Sequence, residues 1–385
     1  MSTNVSKPAA GAGVGKPAFV IALMQELMGD MINWYGPDNW DAERFGAYKS
    51  SLKGSLLANF NKLFSSKVAI VPSDVSQQLQ NVSRLEGSLG ELSALYELLA
   101  DDHSKAMLVK VIAYRILGHK KAKLPLNSGD YWSERESARS LIKSGETVSI
   151  KFKGWKLNHF GLDAIGYPLE LYFLPGGVFV TFMLKQYEYG KRNPAIKAEE
   201  GDYVIDGGGC WGDTALYFAH AVGARGKVYT FEFTPENMEV MERNLSLNPG
   251  LGERVEIVPR ALWDTSDEVL NYSSNGPGSS LLYNQQESCR VSTLSIDELV
   301  RRQHLPKVDF IKMDIEGAEL KALHGARETI RTFKPKLAIS LYHRETDLVD
   351  IPNYLDGLGV GYDFFLDHFT IYGEETILFA SPKVN

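Results

Sequence analysis

Apolar residues recur at three- and four-residue spacing through the first third of the chain: Leu79, Val82, Leu85, Leu89, Leu92, Leu95 and Leu99, then Leu108, Ile112 and Leu117. That period is helical, so residues 18–124 are expected to form a mainly helical N-terminal region. The apolar run from Ala18 to Met31 is interrupted by Gln25, Glu26 and Asp30, which makes it an amphipathic helix rather than a signal peptide or membrane span. Residues 1–17 are small, polar and glycine-rich and read as a flexible tail, and Pro125 to Asp130, "PLNSGD", reads as a loop.

Further on the period shortens. Thr147 to Phe152, Leu169 to Phe173 and Val178 to Met183 read as strands, the last two separated by the turn signal Pro175-Gly-Gly177. From Gly201 strands and helices alternate. Strands are expected at 203–206, 227–233, 255–258, 310–313 and 336–341, with helices at 212–222, 235–247, 295–303, 317–332 and 347–358. Thr234 is placed to cap the second of these helices, with Pro235 at its first position. Such alternation implies a parallel α/β sheet, because parallel strands need crossover helices. Residues 361–366 and 375–380 are joined too tightly for a crossover, so the terminal strand is expected to run antiparallel to its neighbour. Residues 125–385 then form one α/β domain with its core at about 180–381, preceded by a β-rich segment at 147–183.

Composition narrows the partners. The 385 residues carry a formal net charge of −7, which argues against a nucleic-acid footprint of clustered Lys and Arg. Two cysteines, Cys210 and Cys289, imply no disulfide framework and favour a reducing, cytoplasmic location.

The chemistry begins at "VIDGGGCWGDT", residues 204–214. Gly207, Gly208, Gly209 and Gly212 allow a backbone to wrap closely around a nucleotide, but the spacing alone suits both a dinucleotide and S-adenosylmethionine (AdoMet). Asp206 and Asp213 flank the loop with negative charge where a dinucleotide would place its pyrophosphate, whereas the sulfonium and ammonium of AdoMet are cations. Thr214 offers a hydroxyl at the helix start. Glu232, ending the strand "KVYTFEF" with Phe233 after it, is placed to accept both ribose hydroxyl protons. Arg260 and Ala261 in "VPRALWD" are candidates for the adenine rim, and Tyr187 in "LKQYEYG" for a lid over the cofactor.

A second motif, "VDFIKMDIEGAE" (308–319), puts Lys312, Asp314 and Glu316 at the end of a strand, at the sheet edge where ligands bind in open α/β folds. Together with "VIDGGGCWGDTAL", "VYTFEFTPENMEVMERNL", "VSTLSIDEL", "KPKLAISLYHR" and "YDFFLDHFTIYGEETILFA", it resembles the FkbM-type AdoMet-dependent methyltransferases over residues 180–381. The resemblance implies a Rossmann-like class I methyltransferase sheet, AdoMet as methyl donor, and methyl transfer to a hydroxyl of a sugar, glycan or natural-product acceptor. It departs from the family at Gly209-Cys210, where Ala-Asn is usual.

Candidates for the base or for orienting the acceptor are His343, Glu316 and His368. Asp314 with Glu316 could hold a divalent metal, a reading not favoured because no run of three carboxylates is present. Loop Ser273 to Ser280 is a candidate wall of the acceptor pocket, and the N-terminal helices a candidate surface for homo-oligomers. Two other readings stay open: a nicotinamide-dependent oxidoreductase, and a non-catalytic methyltransferase-like binding module.

Overall fold

A computed structural model describes residues 18–49, 72–272, 276–278 and 289–383. The expected tail at 1–17 and most of the loop 273–280 lie outside them.

β1 (Ile142–Ser149), β2 (Lys156–Gly161) and β3 (Glu170–Phe173) form a small antiparallel sheet. β4 (Tyr203–Gly207), β5 (Lys227–Phe231) and β6 (Val255–Val258) enter the main sheet, while β7 (Ala261–Leu262), β8 (Val269–Tyr272) and β9 (Cys289–Leu294) make a second small one. β10 (Phe310–Met313), β11 (Lys336–Ser340), β12 (Tyr362–His368) and β13 (Thr376–Pro382) complete the main sheet. Among the described residues its seven strands run in the order β12-β13-β11-β10-β4-β5-β6. All neighbours pair in parallel except β13, which lies antiparallel between β11 and β12, as its short connection to β12 requires.

Alternate side chains of each strand serve opposite faces. Ile205, Phe231, Ile311, Met313, Leu337 and Ile339 pack into a core shared with the helices Ile296–Gln303, Arg327–Phe333 and Asp347–Gly357. The N-terminal helices Ala18–Asp30, Leu89–Leu98 and Asp102–Leu117 enter the same core through Phe19, Leu92, Leu108 and Ile112. Val204, Val228, Phe310 and Ala338 face the other way, against β1 to β3 and the helix Asp213–Ala221. The expected apolar stripe is therefore buried from Leu92 onward, while Leu79 and Val82 on the helix Pro72–Glu86 remain exposed. The segment after that stripe also covers β12: Ala100 N–H donates to Phe364 O at 2.8 Å, and the Ser104 hydroxyl accepts from Leu366 N–H at 2.9 Å.

β2, β8, β9 and the helix Gly129–Ser137 were not expected, and two of the expected elements take another form. Residues 178–183 are helical rather than extended: a turn at Pro175–Val178 continues as a π-helical turn at Phe179–Met183. Its run of buried residues has no polar alternation to separate strand from helix, and Pro175 fixes a helical φ at the first position. The helix expected over 317–332 is split into Glu319–His324 and Arg327–Phe333. A Cβ at the intervening Gly325 would stand 2.2 Å from Trp263 O, so the chain bends there to let the backbone segments meet.

Candidate functional site

The carboxyl ends of β4, β5, β10 and β11 lie along one edge of the sheet, above which is a cavity of about 710 Å³. Its floor is the glycine loop after β4. The amides of Gly208 and Gly209 both donate to Phe231 O, at 3.1 and 2.9 Å, which turns the loop back over β5. At Gly208, with φ of +84°, a Cβ would stand 2.0 Å from Asp314 O, so the loop and the turn after β10 touch backbone to backbone. Cys210 follows with φ of +43°, in the left-handed region where a side chain is disfavoured.

Lys312 ties the two motifs together. It lies opposite Asp206 in the β10–β4 register and is 1% exposed. Its Nζ donates to Gly207 O (3.0 Å) and Gly208 O (2.8 Å) and stands 3.1 Å from Asp206 Oδ1. Burial acts to lower the Lys312 pKa, but Asp206 and Asp314 outweigh it and the pKa is raised, keeping the ammonium charged. Asp206 Oδ2 accepts from the hydroxyls of Thr214 (2.9 Å) and Thr230 (2.8 Å). Asp213 opens the helix Asp213–Ala221, accepts from the Thr181 hydroxyl at 3.1 Å, and is pushed up to about 6 mainly by burial.

Glu232 stands just past β5. Its Oε1 accepts from the amides of Phe233 and Thr234, both at 2.7 Å, and its Oε2 from Asn237 Nδ2 at 3.1 Å. Thr234 occupies the expected cap position, but its side chain makes no cap hydrogen bond. Asn237 also donates to Gly276 O (3.2 Å), which ties the described piece of the 273–280 loop to the site.

On the other side of the glycine loop, Asp314 accepts from the Tyr187 hydroxyl at 2.9 Å and the Tyr342 hydroxyl at 3.0 Å. Burial would raise its pKa, but His343, Lys312 and these hydroxyls hold it below the usual range. His343, just beyond β11, is ringed by acids: Nε2 lies 3.4 Å from Asp314 Oδ1 and 3.7 Å from Glu316 Oε2, and Nδ1 2.9 Å from Glu319 Oε1. Burial opposes its charge, but the bond to Glu319 and the neighbouring carboxylates raise the imidazole to about 10. Glu316, at φ of +55°, presents a partly exposed side chain to the cavity and is pushed up to about 7, chiefly by burial. Glu375, hydrogen-bonded by Gln186, is raised by burial and by Asp314.

Of the residues selected from sequence, Tyr187, Gly208, Asp213, Thr214, Glu232, Phe233, Arg260, Asp314, Glu316 and His343 line this cavity. Asp206, Gly207, Gly209, Gly212 and Ala261 are not in its lining and sit within the loop or beside it. His368 is elsewhere: it is buried on β12, bonded to the Thr376 hydroxyl (2.8 Å) and Tyr372 O (2.7 Å), and burial lowers it to about 4. Sequence reasoning did not select Trp211, Tyr342, Glu374 or Glu375. Tyr342 carried a signal, since it precedes His343 at the same strand end. Arg44, which reaches Glu374 at 2.6 Å and puts the N-terminal region on the cavity rim, carried none.

Comparison with known proteins places part of the chain beside methyltransferases. Residues 196–364 match the sequence model described as the methyltransferase FkbM domain. The chain is 26% identical over 165 residues to the hexuronic acid methyltransferase AglP of Haloferax volcanii, covering 41% of this chain and 63% of the relative. A crystal structure of methyltransferase FkbM from Methylobacillus flagellatus KT is 20% identical with a TM-score of 0.49, covering 77% of this chain and 60% of that one. A SAM-dependent O-methyltransferase from Thermotoga maritima is 18% identical with a TM-score of 0.32, over 63% of this chain and 78% of that one. The chain thus spans less than two thirds of the length of the first two. Among the described residues no helix is long and apolar enough to cross a membrane.

Proposed function

We propose, on the premise that residues 196–364 make this chain a member of the methyltransferase FkbM family, that it transfers a methyl group from AdoMet to a hydroxyl of a carbohydrate or related small molecule. One observation carries the reading. β10, β4 and β5 are neighbours in that order, so the glycine turn after β4 lies between Asp314 and Glu232 in a single cavity.

The residues fit AdoMet better than a dinucleotide. A pyrophosphate would seek the N-terminus of the helix Asp213–Ala221, but the Asp213 carboxylate already occupies that first turn. Glu232 is held by three donors in one orientation, with a lone pair of Oε2 left for a ribose hydroxyl. Asp213 and Asp314 offer negative charge to the sulfonium and ammonium.

Bound AdoMet supplies an electrophilic methyl on sulfur; the O–CH3 bond forms as the S–CH3 bond breaks, leaving S-adenosylhomocysteine and the hydroxyl proton. The chain's main contribution is alignment of the acceptor, worth roughly 7–11 kcal/mol for a well-oriented reaction. Glu316 is the candidate acceptor of the hydroxyl proton, because its carboxylate faces the cavity beside His343. His343 orients Asp314 and Glu316 from behind, and Tyr187, contributed by the segment before β4, covers the cofactor side. The curated relative's name concerns a hexuronic acid, which supports a sugar acceptor.

S-adenosylhomocysteine at ten times its Kd is expected to stabilise the chain by about 1.4 kcal/mol, read as a rise in Tm, while NAD produces none. The reverse result would sink the proposal. Transfer of a labelled methyl to a panel of hexuronic acids and neutral sugars then identifies the acceptor.

A further inference from the structure

The cluster around His343 holds more ligand chemistry than alignment requires. Among the described residues, Asp314, Glu319 and His343 each offer a ligand atom, and the three atoms lie within 4.8 Å of one another. We infer that these three residues form a binding site for a divalent metal ion of the Mn2+ or Mg2+ type, at the acceptor end of the cavity. The ion's role rests on the methyl-transfer reading; its existence does not.

Glu319 provides an observation independent of the clustering. Its side chain is fully buried, in the first turn of the helix Glu319–His324. Oε1 accepts from Ile315 N–H at 2.8 Å, which fixes the carboxylate, but Oε2 is buried with no hydrogen-bond partner among the described residues. A buried carboxylate oxygen left without a donor is costly unless something cationic or protic meets it. A metal ion answers that need by taking the place of one imidazolium proton of His343, which leaves to solvent, and two carboxylate oxygens with one imidazole nitrogen are a donor set that such an ion accepts.

The surroundings are built as supports for ligands. Both oxygens of Asp314 receive a tyrosine hydroxyl, from Tyr187 and Tyr342, which sets the carboxylate plane. Outer hydrogen bonds of this kind orient metal ligands and raise affinity. Glu316, 3.7 Å from His343 Nε2 and open to the cavity, brings a third carboxylate close to the site. The three protein ligands leave coordination positions free, and because Asp314 and His343 line the cavity, an acceptor hydroxyl can reach the ion from that side. Metal coordination there would fix the acceptor oxygen and lower the hydroxyl pKa.

The test uses the full chain stripped with a chelator and titrated with Mn2+, following loss of the free-ion signal by electron paramagnetic resonance, with S-adenosylhomocysteine affinity measured in parallel. Wild type is expected to take up one Mn2+ per chain. Glu319→Gln and Tyr342→Phe are each expected to weaken uptake by at least about tenfold; in Glu319→Gln S-adenosylhomocysteine affinity stays within about twofold of wild type, and in Tyr342→Phe the Tm without ligand stays at the wild-type value, which shows that the fold is intact. Uptake that is absent in wild type at an Mn2+ concentration of about 1 mM overturns the ion site; so does uptake unchanged in both variants. S-adenosylhomocysteine binding without Mn2+ uptake removes the ion and leaves methyl transfer standing, whereas loss of both counts against each.

Discussion

Lys312→Met is expected to lower the stability of the chain by about 3–5 kcal/mol, the usual cost of leaving a buried charge without its partner. Met is close to Lys in length, so the loss would not come from an empty volume. It would come from Asp206, which is wholly buried and 3.1 Å from Lys312 Nζ, and from the carbonyls of Gly207 and Gly208, which would lose their donor. Thr214 and Thr230 would still donate to Asp206, but two hydroxyls do not balance its charge. The measurement is the urea midpoint of unfolding, with the slope monitored to confirm that the folded state is unchanged in extent. Adding Asp206→Asn should recover a large part of the loss, because the unpaired charge is then gone. A single variant with the wild-type midpoint would contradict this account of how the two motifs are joined.

Glu232→Gln should weaken S-adenosylhomocysteine by about 10- to 150-fold, the equivalent of about 1.5–3 kcal/mol for hydrogen bonds to a charged group. The carboxylate is surrounded by donors: two backbone amides on Oε1 and Asn237 on Oε2. A carboxamide has only one oxygen, so its NH2 must face either the amides or Asn237, and the ribose hydroxyls lose an anionic acceptor. Isothermal titration calorimetry measures the change, and a wild-type affinity would remove Glu232 from the cofactor site. The unliganded Tm of the variant separates lost contact with the cofactor from a distorted turn.

The difference between these two residues explains how much of the site could be read from sequence. Glu232 was legible because its place depends on chain order alone: an acid at the end of the strand that follows a glycine loop and helix. The surroundings of Asp206 were less so. Its carboxylate was read as facing the cofactor's cations, yet it is turned toward Lys312, its register partner on a strand more than a hundred residues later. Sequence shows that both residues sit near strand ends; only the pairing of β10 with β4 shows that they meet. His343 lies between these cases. Its strand end was visible, but its three acidic neighbours come from the turn after β10 and the following helix, so their convergence needs β10 and β11 side by side. The helical segment at 175–183 escaped for a local reason, since a short apolar run without a polar face has nothing to reveal its period.

The bonds from Ala100 and Ser104 to β12 bear on a different property of the molecule. A sheet that ends in a bare strand offers its unsatisfied amides and carbonyls to any other chain, and natural proteins blunt such edges. Here the N-terminal region performs that service: it fills hydrogen-bonding positions at Phe364 and Leu366 and lays the helix Asp102–Leu117 alongside. The helices are thus a selvage for the sheet. Removing the N-terminal helices would leave a strand able to recruit copies of the chain, so the helices and the sheet are bound by colloidal necessity as well as by their common core.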